Sequence, residues 1–331
     1  MTQNSETQTP KMRAISMTRP GGPEVLTLIE TDRPTPGLAE VLIRVHAASV
    51  NPTDWKSRTH GARARMKDGG EEAGPTILGY DVSGVVEEAG FGVTLFQPGD
   101  EVFGMPMFPR LPGAYAEYVV APTRHFAKKP AGLTHAEAAA LPLVSLTAYQ
   151  ALVDMAKVEP GSRVLIHAAA GGVGHVAVQI AKALGVYVIG TASAGKHEFV
   201  RGLGADEVID YTTTDFADVV RDVDAVVDAV GGDYTARSLP VVRDGGTLIS
   251  LTQPVPDETK AAAAKRGITA DFMVVEPDHA GMNAIAALVA DGKLRAAIDT
   301  VLPLADAAKA HELSESGRTT GKIVLAVVDE G

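Results

Sequence analysis

Arg163–Gly185 reads RVLIHAAAGGVGHVAVQIAKALG. Val164, Leu165 and Ile166 form a short aliphatic run that suits a strand buried on both faces. Val176, Ala177, Ile180, Ala181 and Leu184 then recur at helical spacing, giving a helix with one apolar face. Between them lies Ala168–Gly174, AAAGGVG. Set against G-x-G-x-x-G, the key positions are Ala169, Gly171 and Gly174, with alanine at the first. Gly171 and Gly172 permit close backbone approach to a pyrophosphate, and Gly174 permits close helix–strand packing. The helix N-terminus offers unpaired N–H groups. The same string would serve a tight strand-to-helix turn without a ligand, but its context favours a dinucleotide. Ala170, Gly171, Gly172, Val173 and Gly174 are therefore candidate cofactor contacts.

The next strand decides which dinucleotide. A site for NAD places an acid about 20 residues on, at the end of that strand, to bond the ribose hydroxyls. Here the strand ends IGTASAGKHE, with Thr191, Ala192 and Ser193 in the region and no acid before Glu198. Ser193 and Lys196 are available, and Tyr211 ends the third strand. A hydroxyl and an ammonium suit a 2′-phosphate, so NADPH is the expected cofactor. The bland alternative for Lys196 is a solvated helix lysine. Thr191, Val230, Ser250 and Leu251 complete the candidate contacts.

Outward from this unit, strands and helices alternate from the strand at Val164 to GTLISL. GITADFMVV and HAGMNAIAALVADG offer a sixth strand and its helix. Short connections between them predict a parallel doubly wound sheet. Upstream, THAEAAALPLVSLTAYQALVDMA is helical, with Thr134 as N-cap, Glu137 three residues on and a break at Pro142. The first third reads as β: Val41–Val50, VSGVVEEAG and AYAEYVVAP, separated by Pro and Gly clusters, predict a barrel or sandwich. Ser57–Gly74 reads as a long polar loop, and the first ten residues as disordered.

Composition narrows the function. The chain has 331 residues, about twice a typical domain. Its net charge of −11 disfavours nucleic-acid and anionic-membrane partners. There is no cysteine, which removes disulfides, thiolate nucleophiles and cysteine-ligated zinc. No signal peptide or membrane-spanning run is visible, so a cytoplasmic location is expected.

AASVNPTDWK, GYDVSGVVEEAG, PGDEVFG, GAYAEYVV, LTAYQAL, HAAAGGVGHVAVQIAKALG and GADEVIDY together resemble the zinc-free medium-chain dehydrogenase/reductases, in the quinone oxidoreductase and enoyl reductase branch. The resemblance runs from MRAISMTRPGGPEVL to GKIVLAVV. It implies an α/β architecture with a GroES-like β-barrel catalytic domain (residues 1–125 and 294–331) and a Rossmann domain (126–293), with cofactor and substrate in the cleft between them. A homodimer, joined through the edge strand near Ile268–Val275, is also implied. Zinc-dependent relatives carry a cysteine at the Asn51 position, a Gly-His-Glu where this chain has Gly79-Tyr80-Asp81, and a four-cysteine structural lobe that is absent here, so both zinc sites are expected to be lost. Asn51 and Thr147 match family residues beside the nicotinamide end. Lys196 and Tyr211 match the pair that holds the 2′-phosphate.

The expected reaction is hydride transfer from NADPH to an enone, an enoyl group or a quinone. A proton must follow, and Lys56 and Tyr80 are the candidate catalytic residues. Lys56 could equally pair with Asp54 or a surface acid, and Asp54 could be a helix N-cap. Phe103, Met105, Met107 and Phe108 line either a substrate pocket or an interdomain contact. The competing readings are a carbonyl reductase or alcohol dehydrogenase, and a non-catalytic NADPH-binding scaffold or sensor.

Overall fold

The computed structural model describes residues 9–60 and 75–328. Two hydrophobic bodies share one cleft. The first is β-rich. It contains β1 (Lys11–Met17), β2 (Thr27–Asp32), β3 (Glu40–Val50), α1 (Pro52–His60), β4 (Thr76–Ile77), β5 (Asp81–Ala89), β6 (Glu101–Gly104), β7 (Tyr118–Pro122) and β8 (Phe126–Lys128). β1 sits between β2 and β4 in a small antiparallel sheet. β3 is long because its eleven residues are mostly aliphatic, and it pairs antiparallel with both β5 and β7. Ile43, Val45, Val82, Val102 and Phe126 meet in the core beneath. Of the stretch expected to be a polar loop, Ser57–His60 instead finish α1; residues 61–74 lie outside the described residues, as do 1–8 of the N-terminal decapeptide.

Two short helices lead to the second body, α2 (His135–Ala139) and α3 (Pro142–Tyr149). Thr134 and Glu137 form a reciprocal capping box, and Pro142 opens α3 at its first turn, where its missing N–H costs nothing. The helix then widens into a π-helical turn over Gln150–Met155.

The second body comprises β9 (Arg163–Ile166), α4 (Gly172–Ala183), β10 (Tyr187–Ala192), α5 (His197–Gly202), β11 (Glu207–Asp210), α6 (Phe216–Val219), β12 (Val223–Asp228), α7 (Tyr234–Ser238), β13 (Val242–Ser250), α8 (Asp257–Ala264), β14 (Thr269–Phe272) and α9 (His279–Ala290). Its six strands are all parallel, in the order β11-β10-β9-β12-β13-β14. The order runs outward from β9 on one side and from β12 on the other, so the switch point lies at the end of β9.

The chain closes with β15 (Ile298–Pro303), α10 (Ala307–Glu315) and β16 (Lys322–Ala326). β16 pairs antiparallel with β3, Ile323 opposite Val50. The start of the last strand is thereby set beside Asn51.

Candidate active site

The turn after β9 lies at the switch point, where an α/β sheet opens a crevice. Ala168 holds φ at 50°, a left-handed conformation that costs an alanine about 1 kcal/mol, and its carbonyl accepts from Gly171 N. Gly171 caps α4 without a side-chain bond, so the first-turn amides of Gly172, Val173 and Gly174 have no carbonyl before them in the helix. A Cβ on Gly174 would stand 2.2 Å from Ala168 O, which is why the helix can sit this close to the strand only with glycine there. A Cβ on Gly172 would reach 3.6 Å from Val144 and fill the cradle instead. These features fit a pyrophosphate: free N–H donors, a helix dipole and no side chain in the way.

Several buried groups fix this turn. His175 places Nδ1 3.0 Å from Gly171 O, and Nε2 accepts from Ala297 N at 3.1 Å. Burial pushes its pKa down to about 4, so it is a neutral clamp between α4 and the returning chain. His167 bonds Thr191 Oγ1 and Ser238 Oγ, and burial lowers it to about 4 as well. Thr191 also accepts from Ala168 N. Its hydroxyl therefore supports the turn from behind, where the sequence suggested a direct contact. Ser250 is likewise fully buried and donates to Gln253 O. Its neighbour Leu251 is half-buried, and Val230 is exposed while Ala229 borders the cavity.

At the outer end, Ser193 and Lys196 are half-buried and Tyr211 is exposed. Lys196 Nζ donates to Arg318 O at 3.0 Å and Thr319 O at 3.1 Å. It is a tether to the returning chain rather than a solvated lysine.

The cleft itself is a cavity of about 310 Å³ bounded by Gly171–Gly174, Val144, Asn51, Lys322 and Thr319. Its floor is ionic and buried. Asp81 is fully buried and accepts from Ser49 Oγ (2.6 Å), Asn51 Nδ2 (2.8 Å) and Leu143 N (2.8 Å). Lys322 Nζ bonds Asn51 Oδ1 at 2.5 Å and Val50 O at 3.1 Å, and lies 3.4 Å from Asp81 Oδ2. Burial lowers the Lys322 pKa, and Asp81 and Asp54 oppose that shift.

Asp54 is not the N-cap of α1. Asn51 precedes the helix, and Asp54 reaches back from its third position to accept Asn51 N at 2.7 Å, and Gly79 N at 3.2 Å. Burial pushes its pKa up to about 7, against the pull of the Asn51 amide. Lys56 forms no ion pair with it. The Lys56 side chain is half-buried on α1, 5.7 Å from the Trp55 ring. Tyr80 is fully buried, edge-on to Phe108 at 5.0 Å. Phe103 and Met105 belong to the same core, so of the apolar candidates only Met107 and Phe108 keep partial exposure. Thr147 turns its hydroxyl to Leu143 O. Among the described residues no three histidines or acids gather as a metal site, and no helix is long and apolar enough to cross a membrane.

Lys322 and the lining of Thr319 and Gly321 were not among the residues the sequence singled out. The available signal was a lysine at the head of a buried strand, GKIVLAVV.

A doubly wound sheet with a phosphate-shaped turn, joined to a β-rich body across a cleft, is the architecture of a dinucleotide-dependent oxidoreductase. Residues 37–131 match the alcohol dehydrogenase GroES-like domain, and residues 203–325 match the zinc-binding dehydrogenase family. The mouse mitochondrial NAD(P)H oxidoreductase RTN4IP1 is 37% identical over 329 residues, covering 87% of this chain and 82% of that one. A spinach chloroplastic quinone-oxidoreductase homolog is 36% identical (92% and 95% covered), and a tomato 2-methylene-furan-3-one reductase 35% (95% and 79%). Among solved structures, the Coxiella burnetii quinone oxidoreductase superposes with a TM-score of 0.89 at 38% identity, covering 96% of this chain and all of that one. A mycobacterial structure complexed with NADPH gives 0.82 at 32% (95% and 99%). The chain belongs to the medium-chain dehydrogenase/reductase superfamily, in its quinone oxidoreductase-like group.

Proposed function

We propose that this chain is an NADPH-dependent, zinc-independent reductase of activated C=C bonds or quinones, working in the cytoplasm as a homodimer. One observation carries the reading: the phosphate-shaped turn borders the same cavity as Asn51 and Lys322, which Asp81 holds from behind. Relatives named for quinone reduction, for furanone C=C reduction and for NAD(P)H support it.

When bound, NADPH supplies a hydride. The residues of the chain do the rest. The first-turn amides of α4 would hold the pyrophosphate, and Ser193, Lys196 and Tyr211 the 2′-phosphate. Lys196 would exchange its two carbonyl partners for a phosphate, a charge-assisted and stronger bond. As hydride reaches the acceptor carbon, negative charge builds on the carbonyl oxygen, and fixed N–H donors lower its energy. Lys56, half-buried and outside any ion pair among the described residues, is the proposed proton source, and Tyr80 is a buried packing residue against Phe108. With asparagine and tyrosine at the two positions where zinc relatives carry ligands, alkoxide activation by a metal has no support in this cleft, which disfavours an alcohol dehydrogenase.

The test is NADPH oxidation with quinones, enones, enoyl thioesters and aldehydes in parallel. Turnover with the first three classes and none with simple aldehydes is expected. Tight NADPH binding without any turnover would instead favour the scaffold.

A further inference from the structure

Lys322 is the least expected residue in the cleft. It opens β16, is 3% exposed, and has three oxygens around its ammonium. A buried ammonium is expensive unless paired and fully bonded. Its pairing here also does something for Asn51. Lysine is a donor only, so the Asn51 atom facing it must be the carbonyl Oδ1. Asp81 is an acceptor, so the atom facing it must be Nδ2. The two neighbours leave the carboxamide one orientation, and one of its two N–H groups is not consumed by them. Asn51 borders the cavity that Gly171–Gly174 also border.

We propose that Lys322 is a positioning residue for hydride transfer: with Asp81 it locks the Asn51 carboxamide so that its remaining N–H is presented to the cleft. The lock spans the two bodies. Asp81 also accepts from Leu143 N, at the head of α3, and Gly321 N donates to Ala170 O in the phosphate turn. These bonds tie the Asn51–Asp81–Lys322 group to α3 and the adjoining chain to the turn. A neutral side chain at position 322 would free the amide to rotate and would leave Asp81 as a lone buried anion.

This inference rests on the reductase reading, and its test is built to separate the two. Two variants are needed, because Lys322→Met alone leaves that unpaired charge. The double variant Lys322→Met/Asp81→Asn removes both charges together. NADPH affinity is read by cofactor fluorescence, and hydride transfer by single-turnover mixing with a small quinone. In the double variant NADPH binding stays within about threefold of native, while the transfer rate falls by roughly tenfold or more, the scale of a lost orienting contact. Native transfer in the double variant overturns the proposal. So does a fall in NADPH affinity as large as the fall in rate, which would make Lys322 a cofactor ligand instead. The Asn51 side-chain amide, followed by NMR, gives a readout independent of turnover. It should show slowly exchanging, well-separated protons in the native chain and fast exchange in both variants. If the native chain reduces no acceptor, the reductase reading falls and the role in hydride transfer falls with it, while the amide signal still decides whether Lys322 fixes the Asn51 carboxamide.

Discussion

Lys196 shows how one side chain can be committed in the structure and still be the candidate ligand. Its ammonium is held by two carbonyls of the returning chain, Arg318 O and Thr319 O. Neutral acceptors are weaker partners than a phosphate, so exchange is downhill. Lys196→Glu should raise the KM for NADPH by roughly tenfold to a hundredfold and leave that for NADH within about twofold. Equal effects on both cofactors would show that the residue only tethers Arg318 and Thr319. Lys56 and Tyr80 separate in the same way. Lys56→Met should lower kcat by about a hundredfold, the usual scale of a lost proton donor, with KM little changed. Tyr80→Phe keeps the buried ring against Phe108 and should hold kcat within about threefold. A large drop in kcat at unchanged KM would assign its hydroxyl to the reaction. At this scale the sequence conveyed residue types well and environments poorly. Lys322 reads as an ordinary strand-end lysine, because its partner Asn51 lies 271 residues away. Ser250 and Thr191 read as ligand hydroxyls because nothing in a linear sequence shows that Gln253 O, Ala168 N and His167 already engage them.

The α4 element was legible because every local signal agrees: an aliphatic strand, a glycine turn and an apolar stripe. Its weak point is Gly174, where a Cβ would press on the Ala168 and Ala169 backbone. Gly174→Ala must lift the helix off β9, at a cost of about 1–3 kcal/mol for overpacking. It should lower the melting temperature and weaken NADPH binding together. Unchanged binding in a destabilised protein would mean the cradle tolerates the shift. Other elements were less visible. β1 alternates only over Lys11–Ala14, since Ile15, Ser16 and Met17 are all buried. α8 has Asp257 and Glu258 in its first turn but no apolar stripe, with only Thr259 and Ala263 buried, so periodicity alone passes over it. The π-helical turn after Tyr149 is set by tertiary contacts: the Gln150 side chain exchanges hydrogen bonds with the backbone of Glu276, across 126 residues.

For the whole molecule, the parallel doubly wound sheet followed from alternation and short connections, whereas the strand order and the ionic floor follow only from distant segments meeting. That floor and the buried histidines give the fold a pH dependence whose sign can be worked out. His167 and His175 are depressed to about 4 and His311 to about 3, chiefly by burial, with Arg58 adding to the effect on His311. Between those values and the ordinary histidine value near 6.5, the unfolded chain takes protons that the folded chain refuses. Their contribution is therefore complete above that range and lost as pH falls through it. Asp54 acts in the opposite sense. With its pKa raised to about 7, the folded chain holds a proton that the unfolded chain has released, so stability falls as pH rises from about 4 to 7. Three histidines outweigh one aspartate shifted by a similar amount. Urea melts should accordingly show lower stability at about pH 5 than at about pH 7. Asp54→Asn should steepen that difference by removing the opposing group, and His311→Gln should reduce it. A flat profile, or one that inverts, would mean that these histidines take up protons in the folded state after all, and that the clamp of His175 between Gly171 and Ala297 opens in acid.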